Sequence, residues 1–411
     1  MRWVNPKLLP DLLSFVQNNP HSDFYDKKYA GLESAVENFS KLPLLTRAEL
    51  VETPLAQRTF VPQKEVRFVG FTSGTSAQKP LITLFSDVED YHVEPSLGID
   101  IVRPLIIYPP LNKNFGHTFV QQCRQAKKPV SPMFADFQNL ANSALIAKET
   151  GCDAIYATPT IATLFAEHAR TQGIAEHFKL LALSSETLTE ARRADLVRLY
   201  PNAKIANLYA SSEIGQFVLT PCERMIERGG SSFHILAEAL AAVELIDGEL
   251  VVSYGLNRAM PLVRYQTGDR FEEVAEGCSC GRQGPVLRWS HRAEVDRVRL
   301  SGVEFDVEEA DRVFGRLSRP SARYQVHFKE NSGGGIDIVV EIEDKETLRA
   351  GQAPVVERAL RSELLDLWRI SSGAVMRDAL ARGLFASLTV MIVPAVSVSG
   401  TKARRFINHV R

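Results

Sequence analysis

Between about residues 66 and 220, short apolar runs alternate with helical stretches, and this alternation constrains the fold more than any other feature of the chain. Val66-Arg-Phe-Val-Gly-Phe71, Arg103-Pro-Leu-Ile-Ile-Tyr108, Asp153-Ala-Ile-Tyr-Ala157, Leu180-Leu-Ala-Leu183 and Ile205-Ala-Asn-Leu-Tyr209 read as strands. One helix is expected through about His168 and another from about Thr189. Strands alternating with helices argue for a layered α/β domain with a largely parallel sheet. From about 233 to 275 the pattern turns strand-rich. Ala242-Val-Glu-Leu-Ile246, an Asp247-Gly248 turn and Glu249-Leu-Val-Val-Ser253 predict a hairpin. After about 293 it changes again. Val295 to Phe305 is strand-like, Val307 to Leu317 helical and Tyr324 to Phe328 strand-like, and Asn331-Ser-Gly-Gly-Gly is a turn before Ile336-Asp-Ile-Val-Val-Glu-Ile342. This predicts a small α+β domain of roughly 115 residues. Residues up to about 65 read as helical and polar, with Thr46 and Glu49 placed as an S/T-x-x-E capping box.

The totals narrow the class. At 411 residues the chain is long for one core, which predicts two domains or more. A formal net charge of -1 gives no bulk field that favours nucleic acid or an anionic membrane. No apolar run is long enough to span a bilayer, and Met1-Arg-Trp-Val-Asn-Pro-Lys lacks the apolar core of a secretory signal. Five cysteines, an odd number, do not read as a disulfide framework, so a cytoplasmic location is expected.

Three segments carry chemistry. Phe71-Thr-Ser-Gly-Thr-Ser-Ala-Gln-Lys-Pro80 is small and hydroxyl-rich. Its glycine permits close backbone approach to a polyphosphate, its hydroxyls and amides can donate, and Lys79 adds positive charge. It is not a Walker loop. In Leu208-Tyr-Ala-Ser-Ser-Glu-Ile-Gly215, Tyr209 can stack on a purine, and Glu213 offers the hard oxygen that magnesium favours. In Tyr265-Gln-Thr-Gly-Asp269, Asp269 can accept both hydroxyls of a ribose. Taken singly, the bland readings are a Ser/Gly surface loop, a strand end and a Thr-Gly-Asp turn. Three in this order point to an enzyme that activates a carboxylic acid with ATP.

The order Ser-Gly-Thr loop, Tyr-x-x-Ser-Glu, Tyr-x-Thr-Gly-Asp and late lysine resembles the adenylate-forming superfamily of acyl-CoA synthetases, adenylation domains and luciferases. Within it, Asp23-Phe-Tyr25, Leu42-Pro-Leu-Leu-Thr46, Ala157-Thr-Pro159, Ser185-Glu-Thr-Leu-Thr189 and Cys278-Ser-Cys-Gly-Arg282 look like the phenylacetate-CoA ligases. The resemblance implies a large N-terminal layered α/β domain with a β-rich subdomain over 1–293 and a small mobile α+β domain over 294–411. It implies ATP and Mg2+ as cofactors. The acid would become an acyl-adenylate, and a thiol of coenzyme A or a phosphopantetheine would then displace AMP. By this likeness Thr72, Ser73, Gly74, Thr75 and Ser76 contact phosphates, Ser185 and Glu186 lie against adenine, Tyr209 stacks on it, Ser212 belongs to the nucleotide site and Glu213 binds magnesium. Asp269 and Arg292 bind ribose, Glu294 or Asp296 is the hinge, and Lys402 is the mobile lysine of adenylation. The sequence departs from the family pattern in three places. Ser76-Ala-Gln-Lys-Pro80 replaces Thr-Gly-Lys-Pro, His291-Arg-Ala-Glu-Val-Asp296 lacks the hinge glycine, and Thr401 stands before Lys402. The bland reading of Lys402 is a basic helix face shared with Arg404 and Arg405.

Cys278-x-Cys280 sits in a Gly/Ser turn, with Cys222 and His234 upstream. Three thiolates and an imidazole suit a closed, structural Zn2+ site within 222–280, and several members of the subfamily carry a similar set. The alternative is buried free cysteines, as expected for Cys123 and Cys152. By likeness, Phe115, Ala210 and Ile214 line the acyl pocket, with Lys113 and His117 near a polar substituent. A small aromatic acid is the expected substrate. The acceptor stays open between coenzyme A, a carrier protein and an amine, and a degenerate nucleotide-binding homologue without turnover is the rival reading. A homodimer is left open, and neither nucleic acid nor membrane is expected as a partner.

Overall fold

The computed structural model describes residues 1–31, 37–71, 80–86, 97–107, 119, 122–124, 126, 128, 130–135, 139–186, 188–215, 217–230, 232–282, 284–292, 297–300, 303–321, 323–369, 375–397 and 405–410. The chain divides into two compact units. The first is Met1–Thr158, Leu164–Ser185 and Tyr200–His291; the second is Pro159–Thr163, Glu186–Leu199 and Arg292–Arg411.

In the first unit a five-stranded sheet runs in the order Met133–Phe134, Pro104–Ile107, Ala154–Ala157, Leu180–Leu183, Lys204–Asn207, with every neighbouring pair parallel. The three middle strands are buried at every position, as strands covered on both faces must be. The helix Leu140–Thr150 precedes the strand Ala154–Ala157 and stops at Gly151, whose φ of 67° a side chain would strain. The strand expected at the head of this series behaves differently. Phe68–Phe71 pairs antiparallel with Ile82–Phe85 in a two-stranded sheet of its own. Val69 and Phe71 are exposed and Gly70 between them is buried, so this strand has a single covered face.

A second sheet has eight strands in the order Arg2–Val4, Leu240–Ile246, Glu249–Tyr254, Leu262–Glu273, Val286–Arg292, Ser232–Ile235, Phe217–Thr220, Tyr209–Ala210. Its hairpin turns on Asp247 (φ 50°) and Gly248 (φ 80°), the positive pair that an Asp-Gly turn supplies. The N-terminal strand was not expected; three residues on an edge are too few to show a period. Nor is Ile205–Tyr209 one strand. The chain leaves the parallel sheet at Asn207, and Tyr209 joins the end of the eight-stranded one. Tyr209 therefore stands where the chain passes from the five-stranded sheet to the eight-stranded one.

The second unit is α+β. Its sheet runs Ser387–Val393, Ile336–Glu343, Tyr324–Glu330, Phe406–Asn408; the central pair is antiparallel and the outer pairings are parallel. Phe305 packs on Phe328, Trp368 and Phe385, and Phe314 stacks on Tyr324 with centroids 3.7 Å apart. The stretch Val295 to Phe305, read as one strand, contains the antiparallel pair Arg297–Leu300 and Val303–Asp306. The Ser301-Gly302 dipeptide is the sequence signal for that break. Among the described residues, no helix is long and apolar enough to cross a membrane.

Candidate functional site

The strand Leu262–Glu273 is bent twice, and the bends place its functional side chains. Val252 faces Tyr265 and Tyr254 faces Leu262, so one residue opposes two, and the extra residue, Arg264, has φ 52°. This is a bulge, which re-aims the side chains that follow it. It is held from both sides. The Tyr25 hydroxyl donates to the Pro261 carbonyl at 2.9 Å and accepts the Val263 amide at 3.0 Å. Arg264 forks onto Glu244, at 2.8 Å from Nε and 3.2 Å from Nη2, with both side chains at most 6% exposed. Leu45 bonds on either side of Tyr265, its amide to the Arg264 carbonyl and its carbonyl to the Gln266 amide, both at 2.9 Å. This contact brings in the Leu-Pro-Leu-Leu-Thr segment.

The second bend is Thr267-Gly-Asp269 itself. Between the pairs Glu249–Arg270 and Val251–Gln266, the single Leu250 opposes all three residues. Thr267 Oγ1 donates to the Leu250 carbonyl at 2.9 Å and accepts the Asp269 amide at 3.2 Å, standing in for ladder bonds that the bulge removes. Gly268 supplies the φ of 76°. Thr267 thus supplies the hydroxyl and Gly268 the conformational freedom that this turn requires.

Asp269 is 6% exposed, and its Oδ2 accepts the Tyr209 hydroxyl at 2.7 Å. The Tyr209 ring lies edge-on to Phe271 at 5.2 Å and tilted against Trp289 at 6.2 Å. The Glu213 carboxylate lies near the Tyr265 phenol. Burial pushes the Tyr265 phenol well above its usual range; Glu213 and Asp269 push the same way, and Arg47 opposes them. Residues from two distant segments, Tyr209 with Glu213 and Tyr265 with Asp269, therefore form one cluster. Arg47 and Tyr265, to which the sequence reading gave no role, belong to it. Tyr265 lay inside a quoted motif. Arg47 carried no signal beyond following a helix cap, where the capping box between Thr46 and Glu49 is present.

Ser212 is exposed, Ala210 half-buried, and Ile214 fully buried in the first unit's core. Ser185 is exposed at the end of a parallel strand with φ 72°, a strained value for a serine. Glu186 turns into the second unit, where its Oε2 accepts the Thr160 amide at 3.0 Å. Arg292 ends the strand Val286–Arg292. Thr72, Ser73, Gly74, Thr75, Ser76, Lys79, Lys113, Phe115, His117, Glu294, Asp296 and Lys402 lie outside the described residues.

Cys222, His234, Cys278 and Cys280 come together, with all four ligand atoms within 4.8 Å of one another. Cys222 precedes the helix Glu223–Arg228, His234 lies in the strand Ser232–Ile235, and the other two sit in the loop before Val286. Cys222 Sγ is 3.6 Å from Cys278 Sγ, and Cys280 Sγ is 3.2 Å from His234 Nε2. Tetrahedral zinc would set such edges at roughly 3.6–3.8 Å, so the donor set and its spacing fit that ion. Burial, with the hydrogen bonds of Cys278 and Cys280, pushes the Cys222 thiol up to about 11. Burial also raises Cys280, but hydrogen bonds from the Arg282 amide and the neighbouring thiols outweigh it and hold Cys280 below its usual value. Cys123 and Cys152 are buried and free, and burial pushes Cys123 up to about 12.

No protein-family model matches the chain. A curated relative, the phenylacetate-coenzyme A ligase of Thermus thermophilus, is 24% identical over 360 residues, covering 80% of this chain and 77% of its own. Among solved structures, 2-hydroxyisobutyryl-CoA ligase in its postadenylation state superposes with a TM-score of 0.78 at 17% identity, covering 98% of this chain and 89% of that one. The anthranilate CoA ligase AuaEII in complex with anthranoyl-AMP gives a TM-score of 0.52 at 11% identity, covering 85% and 66%. The fold is that of the AMP-forming acid ligases. The sequence likeness to a phenylacetate-coenzyme A ligase points the same way.

Proposed function

We propose that this chain is an ATP-dependent, AMP-forming acid ligase that activates a carboxylic acid as its acyl-adenylate and passes the acyl group to the thiol of coenzyme A. The observation that carries the reading is the cluster in the first unit. Asp269 and Tyr209 share a 2.7 Å hydrogen bond, and Glu213 lies near Tyr265 on the strand that carries Asp269. Four side chains from two family motifs thus share one place, at the end of a parallel sheet where α/β folds bind ligands.

In this reading Asp269, held by the Tyr209 hydroxyl, accepts from the ribose diol. Glu213 holds magnesium, which would supply charge neutralisation at the phosphates. Lys402 stabilises the charge that builds on the α-phosphate as the acid attacks, and residues 294–411 withdraw it before thiol transfer. Cys222, His234, Cys278 and Cys280 hold a structural Zn2+ that ties the 222–280 segment together. The likeness to a phenylacetate-coenzyme A ligase supports a small aromatic acid as substrate. Five cysteines without a disulfide support a reducing, cytoplasmic setting.

The test is product mass. The protein incubated with ATP, magnesium, coenzyme A and an aromatic acid should yield AMP and the acyl-CoA. ATP turnover to AMP without a thioester, rescued by an amine or a phosphopantetheinylated carrier, would move the acceptor assignment.

A further inference from the structure

The second unit is a composite. Residues 292–411 are its body, and Pro159–Thr163 and Glu186–Leu199 leave the ends of two parallel strands to join it. At its centre is a carboxylate in an apolar position. The helix Val307–Phe314 buries Val307, Ala310, Asp311, Val313 and Phe314, and the Asp311 side chain is 2% exposed. A lone charge there would cost several kcal/mol, roughly, so cations must meet it.

They come from two different stretches of chain, one to each oxygen. Oδ2 accepts the Thr189 hydroxyl at 2.7 Å and lies 3.3 Å from Arg192 Nε. Oδ1 accepts the Tyr324 hydroxyl at 2.5 Å and lies 3.1 Å from Arg405 Nε. Arg192 reaches on to Glu186 Oε2 at 3.4 Å, the oxygen that also accepts the Thr160 amide. Arg405 lies 4.4 Å over the Tyr324 ring and donates to the Tyr324 carbonyl at 3.2 Å. Two carboxylates and two guanidiniums, none with a side chain more than 7% exposed, balance to zero charge. Asp311 is the bridge: one oxygen holds the 186–199 stretch and the other holds the 292–411 body.

An ionic join of this kind is specific in geometry yet small in net free energy. The attraction gained on closing is offset by the water each ion gives up. It suits a contact that must be made and unmade, which a greasy interface of the same area would resist. The two stretches it binds also bear on one half-reaction. Glu186 adjoins the serine that the family likeness sets against adenine, and Arg405 follows Lys402 closely in sequence.

We propose that Asp311 is a positioning residue for adenylation, a clamp that holds 186–199 against 292–411 while the acid is activated and that opens for acyl transfer. The proposal rests on the ligase reading above.

The two half-reactions separate the claims. Adenylation is read as pyrophosphate release with the acid that wild type activates fastest. Transfer is read as thioester formed from the preformed acyl-adenylate and coenzyme A. Asp311→Asn should lose about 10-fold or more in adenylation, with transfer held within about 3-fold. The double variant Asp311→Asn/Arg405→Gln removes one charge of each sign, so it should melt like wild type and still show the adenylation defect. Recovery of adenylation in the double variant would assign the defect of the single one to an unbalanced buried charge and overturn the clamp. Equal loss of both half-reactions in folded protein would overturn it too, while leaving the ligase reading intact. Wild type silent in pyrophosphate release with every acid would overturn the ligase reading and the clamp together.

Discussion

Two clusters of acids, one in each unit, are met by different partners. In the first unit, Asp269 accepts the Tyr209 phenol, and Glu213 lies near the Tyr265 phenol with Arg47 close by. In the second, Asp311 is met by two guanidiniums and two hydroxyls. A phenol satisfies one lone pair and leaves the carboxylate its charge. A pair of guanidiniums neutralises it. Under the ligase reading the first set of acids serves a diol and a cation, whereas the guanidiniums at Asp311 join chain segments. Burial alone therefore does not tell a binding acid from a structural one; the charge of its partners does.

Substitution should break this contrast most sharply at Asp269. Asp269→Asn is expected to lower kcat/KM for ATP on the order of 10²-fold with little change in melting temperature. A variant that instead unfolds would place Asp269 with the structural acids. Removing the metal that the Cys/His cluster fits is next in size. Cys278→Ser should lower the melting temperature by roughly 5 °C or more and abolish stoichiometric zinc in elemental analysis, with turnover per folded molecule retained.

Acid titration sharpens the other side. Burial pushes the Asp311 carboxyl up, but Arg405 and Arg192, with Tyr324 and Thr189, outweigh it and hold it below the usual carboxylate range. A group with a depressed folded value contributes its stability in full above the ordinary Asp value of about 3.9 and loses it as pH falls through the folded value. Wild type should thus lose stability steeply below about pH 4. Asp311→Asn, already weaker at neutral pH, should show a flatter acid limb in circular dichroism; parallel limbs would mean that Asp311 does not set it. The smallest effect is expected at Tyr265→Phe. It removes the hydroxyl beside Glu213 and should cost about 3–10-fold in adenylation, and it should shift the magnesium dependence rather than the KM for the acid.

How much of this was legible in the sequence follows the range of the interactions. The parallel strands at 104–107, 154–157 and 180–183 were readable because strands buried on both faces are short, continuous apolar runs. The Asp247-Gly248 turn and the Thr46–Glu49 box were readable because their chemistry is local. The motifs named Tyr209, Glu213 and Asp269, but the reason Asp269 projects from its strand, a bulge opposite Leu250, depends on a partner strand that the motif does not contain. Arg2–Val4 was missed because its pairing with Leu240–Ile246 is distant in sequence. Asp311 did leave a trace: a carboxylate beside Ala310 on the apolar stripe of Val307–Phe314 demands cations. Arg192 and Arg405 lie 119 and 94 residues away in sequence, so which cations would answer was not readable.

The most direct test of the account is pyrophosphate release from ATP and magnesium across aromatic, aliphatic and amino acids, run on wild type and Asp269→Asn side by side. The account predicts release with at least one aromatic acid by wild type and its near loss in the variant. Silence of wild type with every acid, or equal rates in the two proteins, would contradict it.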